Sequence, residues 1–218
     1  MKHRLRCREV IDDPGLPPEI WDRVHRDLDW MHGWLGNYRA IFSRVGGASV
    51  SSVMDIGCGN GALLRRWLRG RRRAVGARAV GVDLRIPVSG DASGVEYVEA
   101  DATCDLLPAA DVAVSLCVIH HLSEEELVKL IRNSGRSVRR LILVDLVRDA
   151  VPLWLFTKFV APWVHPVTAA DGMTSIRRAW TPGELGELVQ TAVAGTGARW
   201  RQGVAPFRVR QVVEINWG

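Results

Sequence analysis

One glycine-rich segment, from Val53 to Leu64, constrains the fold of this chain more than any other. It reads Val-Met-Asp-Ile-Gly-Cys-Gly-Asn-Gly-Ala-Leu-Leu. The apolar run that ends at Asp55 predicts a buried strand, and the helix-forming residues from Ala62 onward predict a helix. The glycines between them allow positive φ and let a ligand approach without meeting a Cβ. A turn of this kind at a helix N-terminus predicts a cradle for a nucleotide cofactor.

The spacing of the glycines leaves two kinds of cofactor open. Gly57-x-Gly59-x-x-Ala62 satisfies the loose dinucleotide fingerprint of dehydrogenases. Asp55 and Gly61 extend it to Asp-x-Gly-x-Gly-x-Gly, which resembles motif I of the class I S-adenosylmethionine (SAM) methyltransferases. The resemblance implies that the loop wraps the amino acid end of SAM. It also implies that Asp55 lies near the ammonium group, partly through water.

Length and composition bound the class of protein. At 218 residues the chain fits one domain of ordinary size, and 47% of its residues are apolar. No uninterrupted apolar run approaches the ~20 residues of a membrane span, and residues 1–10 lack the apolar core of a signal peptide. We therefore expect a cytoplasmic globular protein. The sequence leaves its oligomeric state open, whether monomer or dimer.

The cysteines and the basic residues indicate no dedicated metal or nucleic-acid site. The cysteines show neither paired metal spacing nor a disulfide framework, so we expect free buried thiols and no metal site: Cys7, Cys58, Cys104 and Cys117. Net charge is +5, and one basic cluster lies on and after a predicted helix: Arg65, Arg66, Arg69, Arg71, Arg72 and Arg73. A solvated helix face explains this cluster better than contacts to nucleic-acid phosphates, although that alternative stays open.

Residues 1–48 predict a helical cap. After a breaker-rich stretch at 12–18, apolar residues recur at steps of three and four from Val24 to Val45 and predict an amphipathic helix. Gly33 and Gly36 weaken its centre and favour a split into two helices. In the resembling enzymes an N-terminal helical segment also covers the substrate. We therefore expect this segment both to pack on the main domain and to cap the site.

Two acidic residues follow the next predicted strands. Asp83 ends the predicted strand that begins at Arg78, and it lies some 24 residues past Gly59. A carboxylate at this position can accept hydrogen bonds from both ribose hydroxyls. Val95 to Ala102 predicts a third strand and its turn, and the resemblance implies that Asp101 lies near the adenine amino group. Residues 85–94 between these strands are too few and too rich in breakers for a full crossover helix.

A pair of histidines follows the fourth predicted strand. The nearly all-apolar run from Asp111 to Cys117 is typical of the centre of a parallel sheet. His120 and His121 come next, before a capping box at Ser123 that opens a helix through about Asn133. A His-His-Leu segment recurs at this point in small-molecule methyltransferases, at the ligand-binding end of the sheet. Either histidine could act as a general base for a hydroxyl, or simply pack in the turn.

The remainder predicts an apolar insertion and a terminal hairpin. Arg140 to Leu146 predicts a fifth strand, and the segment from 151 to 180 is apolar and interrupted by prolines, with a turn expected at Asp171-Gly172. Together with the N-terminal cap it holds six of the nine tryptophans, which favours a flat, apolar or aromatic acceptor; a membrane-surface patch stays open. Thr181-Pro-Gly-Glu predicts a second capping box. Residues 199–204 and 207–217 predict two antiparallel strands.

A weaker resemblance concerns the acceptor. The run from 171 to 185, with Asp12-Asp13-Pro14, is similar to small bacterial methyltransferases that accompany type III polyketide synthases. Arg177 or Arg178 could bind a substrate carboxylate or enolate, or pair structurally. The DPPY-type and Pro-Cys motifs of nucleic-acid methyltransferases are missing, which counts against a nucleic-acid substrate.

The sequence therefore predicts an α/β, Rossmann-like class I methyltransferase fold. We expect a seven-stranded, mostly parallel sheet with a terminal antiparallel hairpin, formed by residues 49–218, with a cap insertion at about 150–180. The expected activity is methyl transfer from SAM to a phenol or enol oxygen of a polyketide-like metabolite. Carbon methylation of a quinone-type ring, an RNA methyltransferase and a non-catalytic SAM-binding protein stay open as alternatives. The predicted catalytic residues are His120 and His121, and the predicted cofactor-binding residues are Asp55, Gly57, Cys58, Gly59, Gly61, Asp83, Leu84, Asp101, Ala102, Leu116 and Cys117.

Overall fold

A computed structural model describes residues 1, 3–13, 15–46, 49–70, 76–86 and 94–218 of the chain. Most of the degenerate crossover expected between Arg85 and Gly94 lies outside the described residues. So do Arg71, Arg72 and Arg73 of the basic cluster.

Seven strands form one sheet in the order β3-β2-β1-β4-β5-β7-β6. Their bounds are β1 Ser52–Ile56, β2 Arg78–Asp83, β3 Val95–Glu99, β4 Ala110–Leu116, β5 Val138–Asp145, β6 Arg199–Val204 and β7 Gln211–Asn216. The first five strands are parallel, and β7 runs antiparallel to both β5 and β6. This confirms the predicted sheet. The last strand begins at Gln211 rather than Phe207, because Pro206–Arg208 forms a 3-10 turn.

Helices cover both faces of this sheet. Helices α2 (Asn37–Val45) and α3 (Ala62–Gly70) pack on one face, whereas α4 (Glu124–Ser134) and α7 (Pro182–Val193) pack on the other. Neighbouring residues of β1 point to opposite faces of the sheet. Val53 packs in the core on the side of α2 and α3, and Met54 packs in the core on the side of α4 and α7. Both predicted capping boxes are present, with Ser123 starting α4 and Thr181 starting α7.

The cap consists of helices from the N-terminal segment and from the insertion. Helix α1 (Pro18–Trp34) ends before Gly36, whose φ of +73° separates it from α2, so the predicted split is present. The insertion forms α5 (Ala150–Phe159) and α6 (Pro166–Arg178), and α6 contacts α1. The carboxylate of Asp27 on α1 accepts hydrogen bonds from the backbone N of His165 and the hydroxyl of Thr168.

Two sequence predictions are wrong, one on a turn in the insertion and one on the burial of the cysteines. Asp171 and Gly172 do not form a turn but lie inside α6. A Cβ at Gly172 would lie 2.3 Å from Cζ of Phe156, so glycine allows α5 and α6 to pack closely. The cysteines are free, but Cys7 and Cys104 are exposed rather than buried. Within the described ranges, no helix combines the length and apolar character that a membrane crossing requires.

We predict that Asp111→Ala destabilises the junction between β1 and β4. Oδ2 of Asp111 accepts hydrogen bonds from the backbone N of Ser51 and Ser52 and from the hydroxyl of Ser51. Hydrogen bonds to a charged group contribute about 1.5–3 kcal/mol, and partial exposure lowers the expected loss here to about 1 kcal/mol. Urea unfolding of the two proteins at neutral pH measures the loss.

The same comparison has a defined pH dependence. The hydrogen bonds from Ser51 and Ser52 lower the pKa of Asp111 from 3.8 to about 2. Because the folded-state pKa is depressed, the stabilisation is present above the ordinary pKa and is lost as pH falls toward 2. The difference between wild type and Asp111→Ala should therefore shrink in acid. A difference that stays constant down to roughly pH 3 would contradict the assignment.

Candidate active site

A cleft of about 740 Å³ opens at the carboxyl ends of β1, β2 and β4. Its volume falls within the roughly 300–1,000 Å³ of small-molecule sites. The helices that follow β1 and β4 lie on opposite faces of the sheet, so the cleft occupies a topological switch point, where open α/β sheets bind ligands. All the predicted site residues except Gly61 line it: Asp55, Gly57, Cys58, Gly59, Asp83, Leu84, Asp101, Ala102, Leu116, Cys117, His120 and His121.

The glycine loop needs its glycines for two physical reasons. Gly57, Gly59 and Gly61 have φ values of +73°, +50° and +76°. A Cβ at Gly57 would lie 2.4 Å from Cγ2 of Val118, and a Cβ at Gly61 would lie 2.2 Å from the hydroxyl of Tyr97. Neighbouring side chains of the protein therefore exclude a Cβ there, whereas the sequence argument invoked only the approach of a ligand.

Asp83 ties the glycine loop to the end of β2. Its Oδ2 accepts a hydrogen bond from the backbone N of Gly59 at 2.8 Å. The backbone N of Gly57 donates to the carbonyl oxygen of Val82 at the same distance. The carboxylate thereby fixes the loop while lining the cleft. Its contact with a ribose stays a prediction.

Asp55 is a buried carboxyl whose Oδ1 has no hydrogen-bond partner among the described residues. Burial, together with the charge of nearby Asp83, raises its pKa well above the ordinary value. A cationic group in the cleft would offset this unfavourable burial. The ammonium group of an amino acid has the required charge, so these residues fit the amino acid end of SAM.

Asp101 lines the same cleft, two residues after the end of β3. Its Oδ1 accepts hydrogen bonds from the backbone N and the hydroxyl of Thr103, which lower its pKa. The carboxylate is thus held in the turn after β3, beside Ala102 in the cleft lining. Recognition of an adenine amino group by Asp101 stays a prediction.

His120 is almost fully buried, at 2% exposure, and is held between two carboxylates. Its Nδ1 lies 2.7 Å from Oδ1 of Asp145, and its Nε2 lies 3.5 Å from Oε1 of Glu9. Burial lowers its pKa, but the charge of and hydrogen bond to Asp145, with help from Glu9, outweigh burial and raise it to about 9. His120 is therefore an imidazolium at neutral pH and is not free to accept a proton.

His121 is placed differently, because about a quarter of its side chain is exposed. Its Nε2 lies 3.7 Å from Oε2 of Glu9, and its Nδ1 lies 3.3 Å from Oδ2 of Asp12. Burial raises the pKa of Glu9, but the hydrogen bond and charge of His120 contribute most to bringing it below its ordinary value. Glu9 is thus a carboxylate beside both imidazoles.

Glu9 and Asp12 come from an N-terminal strap, residues 3–13, that the sequence argument missed. The guanidinium of Arg4 donates to the carbonyl oxygens of His120 and Leu122. The carboxylate of Asp171 accepts from the backbone N of Val10 and of Ile11. No sequence pattern links these acids to residues more than a hundred positions away. The packing of α6 brings them together.

Glu9, His120 and His121 each offer a ligand atom, and these atoms lie within 4.8 Å of one another. Two imidazoles with one carboxylate can bind zinc or iron. Here the guanidinium of Arg178 lies 3.5 Å from Oε1 of Glu9 and 3.8 Å from Oδ2 of Asp12. Because a fixed cation and the charged His120 already balance these carboxylates, we interpret the group as an acid–base cluster rather than a metal centre.

The cap forms the apolar wall of the cleft. The lining residues from α1 include Val24, Leu28 and Met31, with Leu35 at its C-cap, and those from α5 and α6 include Phe156 and Ile176. His25 and His32 of α1 also line it, and burial lowers the pKa of both, that of His32 to about 4. The turn that carries the histidine pair at 120–121 contacts both α6 of the cap and β5 of the sheet.

Comparisons with known proteins agree with this geometry. Residues 54–141 match a family described as "Methyltransferase domain". No curated protein matches the sequence. The plantazolicin methyltransferase BpumL in complex with a desmethyl-plantazolicin analogue and SAH is similar in structure, with a TM-score of 0.58, 13% identity, and 91% of this chain and 86% of that chain covered.

Two further structures share the fold. Human N-acetylserotonin methyltransferase in complex with SAM has a TM-score of 0.62 and 16% identity; the match covers 97% of this chain and 63% of that chain. The methyltransferase domain of bacterial CtHen1 has a TM-score of 0.60 and 15% identity, with 83% of this chain and 97% of that chain covered. The chain therefore has the fold that these SAM-dependent methyltransferases share, and the match to a methyltransferase domain over residues 54–141 agrees with it.

We predict that Gly61→Ala abolishes or strongly weakens SAM binding. The new Cβ would collide with the hydroxyl of Tyr97 and would sit on a residue with positive φ, so the loop must shift. Gly70→Ala is the matched control, because a Cβ there meets nothing within 4 Å at the end of α3. Calorimetric titration with SAH measures both. Unchanged affinity in Gly61→Ala would contradict the assigned role of the loop.

We also predict that Asp145→Asn destabilises the protein in a pH-dependent way. A rise in the pKa of His120 from 6.5 to about 9 corresponds to on the order of 3 kcal/mol of ion-pair stabilisation. Because the folded-state pKa is raised, this stabilisation is complete below the unfolded pKa and is lost as pH rises through about 9. Unfolding free energies of wild type and Asp145→Asn should therefore converge in alkali.

The surface substitution Asp22→Asn serves as the control for this pH series, because Asp22 lies exposed on α1. Its effect on unfolding should be small at every pH. If Asp145→Asn behaves like Asp22→Asn near neutral pH, the buried ion pair is not formed.

Proposed function

We propose that the chain transfers the methyl group of SAM to an oxygen of a small, largely apolar phenol or enol, such as a polyketide-like metabolite. The observation that carries this proposal is the two-sided cleft, with a polar floor and an apolar wall that meet at His121. A floor suited to the cofactor and a wall suited to an apolar ring support an acceptor held between them.

The proposed cofactor contacts follow from the floor. Asp55 and the glycine loop would hold the amino acid end of SAM, Asp83 the ribose, and Asp101 with Ala102 the adenine. SAM supplies an electrophilic methyl group that needs no metal for activation. The task of the protein is then to hold the acceptor oxygen in line with the methyl carbon and to exclude water.

The acid–base cluster supports an oxygen acceptor. His121 is the partly exposed member, and Glu9 and Asp12 flank its two ring nitrogens. We propose that His121 takes the proton of the acceptor hydroxyl, and that these carboxylates stabilise the imidazolium formed. His120, charged and held by Asp145, would keep Glu9 in place rather than accept a proton. Holding the acceptor oxygen in line with the methyl carbon can lower the reaction barrier by ~7–11 kcal/mol. A general base raises the rate by ~10²- to 10⁴-fold.

The basic cluster on α3 gives little support to an RNA acceptor. The guanidinium of Arg66 forms two hydrogen bonds with the carboxylate of Asp29, at 3.1 and 2.9 Å. Arg65 donates to the carbonyl oxygen of Asn60. These two arginines are engaged within the fold, which leaves them less available for phosphates.

We propose that residues 49–218 form the SAM-binding domain and that residues 1–48 and about 150–180 form a cap over it. The proposed role of the enzyme is in secondary metabolism.

The test is methyl transfer from labelled SAM to a panel of alkylphenols and enolic pyrones, with RNA and protein fractions assayed in parallel. We expect label in an organic product and an O-methyl signal in its NMR spectrum. His121→Ala should lower turnover by about 10²- to 10⁴-fold without changing SAH affinity. The exposed His3→Ala serves as the matched control, and EDTA should not lower the rate.

Each other outcome has a definite meaning. A C-methyl signal moves the acceptor atom to carbon, and label in RNA overturns the proposed substrate class. Full turnover in His121→Ala removes the general base from the proposal. Loss of activity in EDTA that zinc or iron restores would replace the acid–base cluster by a metal centre.

A further inference from the structure

Large aromatic side chains lie exposed on one side of the cap. Trp154 on α5 is 56% exposed, Trp163 in the following 3-10 turn is 75% exposed, and Phe207 in the turn before β7 is 71% exposed. Trp154 and the half-exposed Phe159 meet edge to face, with ring centroids 5.7 Å apart. Both turns contact α5. We refer to Val151, Trp154, Phe159, Trp163 and Phe207 as the aromatic patch.

Helix α5 is apolar on its outer side as well as its inner side. Only Pro152 of its ten residues is fully buried. On the inner side, the ring of Phe156 packs against Gly172 of α6 and lines the cleft. A surface helix normally turns polar residues to solvent, so an apolar outer side indicates contact with something other than water.

The charges of the segment that carries most of the aromatic patch are basic. Residues 150–170 contain no aspartate or glutamate, and Lys158 lies between Trp154 and Phe159. Arg208 follows Phe207 and pairs with Asp149, the N-cap of α5, at 2.9 Å. Tryptophan beside lysine and arginine is the side-chain combination found where proteins meet the headgroups of anionic lipids.

The turn that carries Phe207 is held in a strained conformation. Phe207 and Arg208 have φ values of +56° and +55°, which cost free energy in residues other than glycine. The turn is anchored on its far side, where Arg210 donates to the carbonyl oxygen of Leu35 at 2.6 Å. This geometry keeps most of the Phe207 ring in solvent.

We propose that the aromatic patch docks the chain on a membrane surface that contains anionic phospholipids. A second copy of the chain is a poorer fit, because a symmetric contact across the patch would bring basic Lys158 of one copy toward the basic patch of the other. An anionic bilayer instead satisfies both the aromatic rings and the basic side chains. Because α5 forms the outer patch and also lines the cleft, docking would place the cleft close to apolar molecules dissolved in the bilayer.

The test is co-sedimentation of the full chain with vesicles of phosphatidylcholine alone, or of phosphatidylcholine mixed with phosphatidylglycerol. We expect binding to the mixed vesicles that weakens with added salt. Trp154→Ser combined with Trp163→Ser should weaken binding about tenfold or more, and Lys158→Glu several-fold. Leu106→Ser is the matched control, because Leu106 is 90% exposed in the β3–β4 connection, away from α5.

Binding is measured without SAM or acceptor, so this result is independent of the proposed activity. Thermal unfolding of each variant establishes that it is folded. Wild-type protein that stays in the supernatant with both kinds of vesicle overturns the proposal. So does wild-type protein that is dimeric by light scattering and becomes monomeric in the double tryptophan variant, which would assign the patch to a second copy.

Discussion

The reversal of strand order at the centre of the sheet, between β1 and β4, determines where the site of this protein lies. β1 pairs with β2 on one side and with β4 on the other, and the helices that follow β1 and β4 cover opposite faces. No helix can close the space between the two loops, so a crevice forms at the strand ends. The glycine loop, Asp83 and the histidine pair all border it because each follows one of these strands.

A second constraint is electrostatic and joins the N-terminal strap to the centre of the sheet. Asp145 ends β5 inside the protein, and burying its charge requires a cation, which His120 supplies. The charged His120 in turn favours a carboxylate on its other side, and the strap delivers Glu9 there. Docking of the strap on α6 and the charge state of His120 are therefore coupled. In the proposed function an acceptor beside His121 would meet the same strap, since Asp12 lies against that ring.

Much of the fold could be predicted from the sequence because its signals are local. The glycine loop, the two capping boxes and the acid after β2 each lie within a few residues of the element they define. The sequence could indicate the strand-end residues and the histidine pair that line the cleft, since each lies at or just after the end of a strand. Glu9, Asp145 and Arg178 come from three distant segments, so only tertiary packing reveals their contacts. The turn predicted at Asp171-Gly172 was wrong because this pair, although typical of turns, has other roles inside α6. Asp171 binds the strap, and Gly172 allows α5 to pack closely.

We propose that one cleft holds the cofactor on the strand ends and the acceptor under the cap, with His121 between them. A crystal structure of the chain with SAH tests this most directly. We predict that the sulfur of SAH faces His121, with its amino acid end beside Asp55 and its ribose beside Asp83. SAH bound with its sulfur turned away from the histidine pair, or bound outside this cleft, would contradict it.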